Sequence, residues 1–172
     1  IATGDGDRVH VHTGMGHVAD VFGDSDILER LPGHLAIGHN RYSTTGSDNL
    51  CNAQPFVAQC RDGYVAVAHN GNLTNTSALR THMQEDGAIF QTTTDSELVL
   101  HLIARSKAAH IVDRVTESLR QLNGAYSLVL ATEGRLLAAR DPYGFRPLCL
   151  GQLGDAWIIA SESCALDIIS AR

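Results

Sequence analysis

Hydrophobic positions follow two rhythms along this chain. One has period two, the mark of strands whose alternate side chains face a core. Arg8-Val9-His10-Val11-His12 alternates in this way, behind a turn signal at Asp5-Gly6. Apolar runs at 34–39, 56–59, 64–68 and 88–91 predict further strands. Residues 126–131 and 136–140 flank Glu133-Gly134, and 147–151 and 157–161 flank Gly154-Asp155. Each pair predicts a hairpin. The other rhythm is helical. Val18, Val21 and Phe22, then Ile27, Leu28 and Leu31, predict two short helical turns broken at Gly23-Asp24 and ended by Pro32-Gly33. Asn75 or Thr76 caps a helix to about Glu85, with Leu79 and Met83 facing inward and Gly87 behind it. Thr94-Asp95-Ser96-Glu97 has the form of a capping box, Thr94 at N-cap and Glu97 at N3, before Leu98, Val99, Leu102 and Ile103. Ile111, Val115, Leu119 and Leu122 predict a further helix that ends at Asn123-Gly124. Antiparallel hairpins with grouped helices define an α+β class, helices stacked on sheets.

Composition narrows the function. The 172 residues are enough for one domain with a real core. A 44% hydrophobic and 19% charged content is that of a globular chain. Net charge is −6 and no basic run occurs, which argues against nucleic-acid binding through phosphates. No apolar run is long enough to span a bilayer. Cys51, Cys60, Cys149 and Cys164 lack CxxC spacing, and no signal peptide opens the sequence. They read as reduced thiols of a cytoplasmic protein. His10 and His12 share a strand face but have no third metal ligand at a recognisable spacing, so a solvated face is expected. Ile1-Ala2 reads as the end of a strand cut from something longer, and 166–169 stops without a terminator. The expectation is an internal piece of a larger protein.

Three groups carry candidate chemistry. The run at 64–68 stops at His69-Asn70-Gly71, a dipeptide signal for a type I′ hairpin turn. The same residues offer two neutral donors, the Asn70 carboxamide and the Gly71 N–H, suited to a developing oxyanion. Arg41 offers a planar fork for a carboxylate, or a surface ion pair. Asp95 offers an acceptor for an ammonium, or a partner for a helix dipole. Together they describe a pocket for an α-amino acid whose side-chain carbonyl is attacked. The polar connection between 40 and 55 is long for a compact domain, and such loops are usually functional or disordered.

At these residues the sequence resembles a known family. The stretches are Gly38-His39-Asn40-Arg41-Tyr42-Ser43-Thr44-Thr45-Gly46, His69-Asn70-Gly71-Asn72, Thr93-Thr94-Asp95-Ser96-Glu97 and 140–148. In this order they resemble the class II glutamine amidotransferase domain, whose nucleophile is N-terminal. Arg-Tyr-Ser-Thr at 41–44 and Ser161-Glu162-Ser163-Cys164-Ala165-Leu166-Asp167 are similar to the branch that aminates phosphoribosyl diphosphate in purine synthesis. Sugar-phosphate transamidases carry Trp and Ala where Tyr42 and Ser43 stand. The resemblance implies a four-layer α/β/β/α sandwich of two antiparallel sheets, here without its first strand. It implies glutamine hydrolysis, with Arg41 on the α-carboxylate, Asp95 on the α-ammonium, and Asn70 and Gly71 as oxyanion donors. Tyr42 and Thr44 would lie on a loop closing over glutamine. Residues 140–147 match as well and read as a fixed turn between hairpins.

The family reaction uses an N-terminal Cys thiol with its own α-amine as base, a group that titrates near about 7.7–8.0. Position 1 here is Ile. No apolar strand ends in the adjacent acidic residues of a phosphoribosyl-diphosphate motif. The chain is therefore expected to be a partial glutaminase domain over 1–172, inactive alone, with the phosphoribosyltransferase domain elsewhere. Magnesium is expected only at that other site, and an iron–sulfur cluster is compatible with the full protein, a homo-oligomer. Related glutaminase domains for amino-sugar, glutamate or asparagine synthesis are the first alternative. A non-catalytic glutamine-binding domain is the second.

Overall fold

The computed structural model describes residues 1–41, 50–61 and 63–172. Among the described residues the chain runs β1 (Ala2–Gly4), β2 (Val9–Val11), α1 (Val18–Val21), α2 (Ser25–Glu29) and β3 (Leu35–Ile37). A 3-10 turn at Leu50–Asn52 precedes β4 (Phe56–Cys60), β5 (Gly63–Leu73), α3 (Thr76–Glu85), α4 (Ser96–Arg105) and α5 (Ile111–Leu119). Then come β6 (Gly124–Ala131), β7 (Leu136–Arg140), β8 (Cys149–Leu153), β9 (Ala156–Ala160) and α6 (Ser163–Ile168). The strands form antiparallel sheets of order β2-β1-β3 and β4-β5-β6-β7, with β8-β9 as a separate hairpin.

The central strand β5 explains the layering. Its odd residues Val65, Val67 and Leu73 pack with Met83, Leu98, Val99, Ile103 and Val115 of the helices. Its even residues Ala66 and Ala68 pack instead with Ala2 and Ile37 of the small sheet. Large side chains fill the space beneath the helices, and alanines let the two sheets approach. Period two in one strand thus separates two cores. The expected α+β sandwich of antiparallel sheets and helices is the architecture found.

Three expectations are corrected. β5 does not stop at His69: it continues to Leu73, with Asn70 opposite Ser127 and Gly71 opposite Tyr126. Asn70-Gly71 is therefore strand, held in the ladder by β6, and not a hairpin turn. Residues 88–91 form no strand. Side chains take their backbone groups and those that follow: Glu97 accepts from the N–H of Gln91 (2.7 Å) and Thr92 (2.8 Å). The Arg80 guanidinium donates to the carbonyls of Thr92 and Thr94 and lies over the Phe90 ring. The same contacts revise the capping box. The N-cap is Asp95, not Thr94, and Glu97 reaches back to 91 and 92.

The 141–147 segment is a fixed turn, as expected. The buried Asp141 carboxylate accepts from the backbone N–H of Tyr126, Tyr143 and Phe145. Four such donors, counting Arg146, overcome the upward push of burial and hold its carboxyl below the usual range. Gly87 ends α3 with φ +87°, the left-handed step a C-terminal glycine supplies.

Candidate active site

The site is built on one edge of β5. Beside β4, the last paired residue of β5 is Val67, opposite Phe56. Beyond it, β5 presents an uncovered edge to side chains. Tyr126, opposite Gly71, turns its own peptide groups toward Asp141: the Asp141 N–H donates to the Tyr126 carbonyl, and the Tyr126 N–H to Asp141 Oδ2. Gly71 and Tyr126 are therefore a non-hydrogen-bonded pair, and the Gly71 N–H points away from β6. Its neighbours on that edge are already engaged. The His69 N–H donates to Gln54 Oε1 (2.7 Å), and the Leu73 N–H to Asp95 Oδ2 (3.2 Å). Gly71 lies between them with φ +154°, and its missing Cβ leaves room against the Ala125 carbonyl and Tyr126 Cα.

Asn70 points to the opposite face from His69. It is exposed and lines a cleft of about 520 Å3 with Ile1, His39, Asn40 and Ser127. A second cleft of about 360 Å3 shares Ile1, His39 and Asn40, and Arg41 and Gln54 line it. Arg41 and Asn70 thus face adjoining space from β3's end and β5's edge. Arg41 is exposed. Tyr42 and Thr44 lie outside the described residues.

Asp95 caps α4 by position rather than by a side-chain bond. Its Oδ1 faces His69 Nδ1 at 3.3 Å and its Oδ2 takes the Leu73 N–H. Burial pushes this carboxyl up, but the His69 hydrogen bond and charge and the Leu73 N–H outweigh it and hold the pKa below the ordinary value. The carboxylate is ionised at neutral pH and a quarter exposed. It lines neither cleft and touches the β5 edge at its Leu73 end.

The structure adds residues that the motif reading did not single out. The His39 ring donates through Nε2 to the His69 carbonyl at 3.1 Å. Burial pushes the His39 pKa down, against that hydrogen bond, so the ring is neutral with its proton on Nε2. His69 itself is buried against the helix layer. Its strand parity with Val65 and Val67 was the available signal. His10 pairs with Asp5 at 2.6 Å, and His12 lies edge-on to Phe22. Among the described residues no three His, Cys, Asp or Glu side chains are grouped to hold a metal ion.

The β5 edge thus carries a glycine N–H turned off the ladder, the Asn70 amide beside it and the Asp95 carboxylate at its Leu73 end, with Arg41 on the wall of the adjoining cleft. Residues 39–167 match the glutamine amidotransferase domain, and the chain belongs to that family. It is 54% identical over 160 residues to amidophosphoribosyltransferase 3, chloroplastic, of Arabidopsis thaliana, covering 92% of this chain and 30% of that protein. It is 48% identical over 172 residues to the amidophosphoribosyltransferase of Rhizobium etli, covering 100% of this chain and 35% of that protein. The glutamine phosphoribosylpyrophosphate amidotransferase of B. subtilis, solved with ADP and GMP, superposes with a TM-score of 0.92 at 40% identity, covering 99% of this chain and 36% of that one. The chain spans about a third of the length of these relatives.

Proposed function

We propose that this chain is the glutamine-hydrolysing part of an amidophosphoribosyltransferase. On this reading it supplies ammonia to a phosphoribosyl site that converts phosphoribosyl diphosphate to 5-phosphoribosylamine in purine synthesis. Arg41 holds the glutamine α-carboxylate by its planar fork. Asp95 holds the α-ammonium, being ionised and fixed at both oxygens. Tyr42 and Thr44 belong to the loop that covers glutamine. A cysteine thiolate attacks the amide carbon, and the carbonyl oxygen becomes an oxyanion held by the Asn70 carboxamide and the Gly71 N–H. Collapse of that intermediate expels ammonia, protonated by the α-amine that took the thiol proton. Water then cleaves the thioester to glutamate.

None of Cys51, Cys60, Cys149 and Cys164 lines either cleft, so the nucleophile is not among them. The longer protein works in the cytoplasm as a homo-oligomer, on small molecules rather than nucleic acid or membrane. Magnesium belongs to the phosphoribosyl site of the longer protein, as does any iron–sulfur cluster to the rest of that protein. Among the described residues no helix is long and apolar enough to cross a membrane.

The observation that carries the reading is the Gly71 N–H, turned off the ladder between two engaged neighbours and beside Asn70. Glutamate release by the full-length protein tests it. Release coupled to phosphoribosylamine formation is the expected result. A protein that makes phosphoribosylamine from ammonia but releases no glutamate from glutamine contradicts it.

A further inference from the structure

We propose that His69 is a positioning residue that aims Asp95 at the substrate ammonium and thereby sets the preference for α-amino amides. The proposal rests on the glutamine reading above and deepens it.

The placement of His69 is costly on its face. It is 4% exposed and sits on the strand face that Val65, Val67 and Leu128 make apolar. A polar ring buried there is disfavoured unless its groups are paired. Three of its four polar groups are paired, and each pairing reaches a different part of the site. The N–H goes to Gln54 Oε1, on the wall of the smaller cleft. The carbonyl accepts from His39, two residues before Arg41. The ring reaches Asp95, where Ser96 Oγ also lies 3.4 Å from Nδ1. Its own peptide continues into Asn70 and Gly71. Segments carrying the carboxylate fork, the oxyanion donors and the ammonium acceptor thus meet at one residue.

The ring proton has a definite place. An ionised carboxylate only accepts, so Nδ1 donates to Asp95 Oδ1. With Leu73 N–H on Oδ2, two fixed donors define the carboxylate plane. An acceptor held in this way meets an ammonium without reorganising. The remaining atom, Nε2, is buried and has no hydrogen-bond partner among the described residues. It lies under Gly71, where an added Cβ would stand 2.9 Å away. A residue chosen only for packing would not leave that nitrogen unpaired. A phenylalanine fills the same space without it.

The test compares the full-length protein with its His69→Asn, His69→Gln and His69→Phe variants. The substrates are glutamine and glutaramate, the same amide without the ammonium. An Asn amide nitrogen overlays Nδ1, whereas a Gln amide overlays Nε2. Wild type should prefer glutamine. His69→Gln and His69→Phe should lose about tenfold or more of that preference, the order expected for one charge-assisted hydrogen bond. The loss should fall on the glutamine KM, with glutaramate turnover and ammonia-dependent activity nearly unchanged. His69→Asn should restore most of the preference. Equal losses on both substrates would make His69 a packing residue and overturn the proposal, as would His69→Asn no better than His69→Gln. The Asn and Gln variants decide the matter even where Phe does not fold. A wild type that hydrolyses glutamine with no preference over glutaramate overturns the role of Asp95 as well. A wild type that hydrolyses neither overturns the glutamine reading from which both follow.

Discussion

At the scale of single residues, the site depends on which atoms are already engaged. Arg41 is exposed at the cleft wall, where a guanidinium can meet a ligand carboxylate. A point charge matches a carboxylate less well than a fork does. Arg41→Lys in the full-length protein should raise the glutamine KM strongly and spare ammonia-dependent activity, because ammonia bypasses the pocket. Equal loss of both activities would make Arg41 a folding residue. Gly71 gives a second expectation. A Cβ there would collide with the Ala125 carbonyl and lie 2.8 Å from Tyr126 Cα, on a backbone with φ +154°. Gly71→Ala should displace the β5 edge and abolish most glutamine hydrolysis. An unaltered rate would show that the Gly71 N–H is not where the oxyanion forms.

At the scale of elements, much was legible because hydrophobic period reports burial. The alternation at 9–11 gave β2, and the two glycine-centred turns gave the hairpins β6–β7 and β8–β9. The period of Leu98, Val99, Leu102 and Ile103 gave the inner face of α4. Where side chains compete for backbone groups, the pattern misled. The strand expected at 88–91 gives its last N–H, that of Gln91, to Glu97, and the amide-glycine pair at 70–71 extends a strand because eight ladder partners on β6 hold it straight. That competition makes Glu97 measurable. Its carboxylate takes two backbone N–H groups and the Thr92 hydroxyl. Burial pushes its pKa up, but those hydrogen bonds prevail and hold it below the usual glutamate value. A lowered native pKa means that its stabilisation is complete above the unfolded glutamate value, near about 4.3. It is lost as pH falls through the lower native value. Glu97→Gln should cost about 1.5–3 kcal/mol in denaturant unfolding at neutral pH. The difference from wild type should shrink as pH falls below about 4. A difference that persists undiminished at acid pH would assign the loss to packing.

At the scale of the whole molecule, the order of motifs in the sequence carried the family, and the fold shows why that order matters. Arg41 follows β3, Asn70 and Gly71 lie on β5 and Asp95 opens α4, and the contacts of His39 and Asp95 bring these three elements to one sheet edge. The convergence itself was not legible, because it runs through His39 and His69, residues that composition gives no reason to single out. None of Cys51, Cys60, Cys149 and Cys164 lines either cleft. The 172-residue chain alone should therefore release no glutamate from glutamine, and hydrolysis abolished by replacing one of its four cysteines would show that the nucleophile had been misplaced. On the glutamine reading the β5 edge stabilises an oxyanion. The most direct measurement is the steady-state kinetics of Asn70→Ala in the full-length protein with glutamine and with ammonia. The glutamine kcat should fall by about a hundredfold or more, with KM and ammonia-dependent activity little changed, since the donor acts mainly in the transition state. An unchanged kcat with glutamine would contradict it.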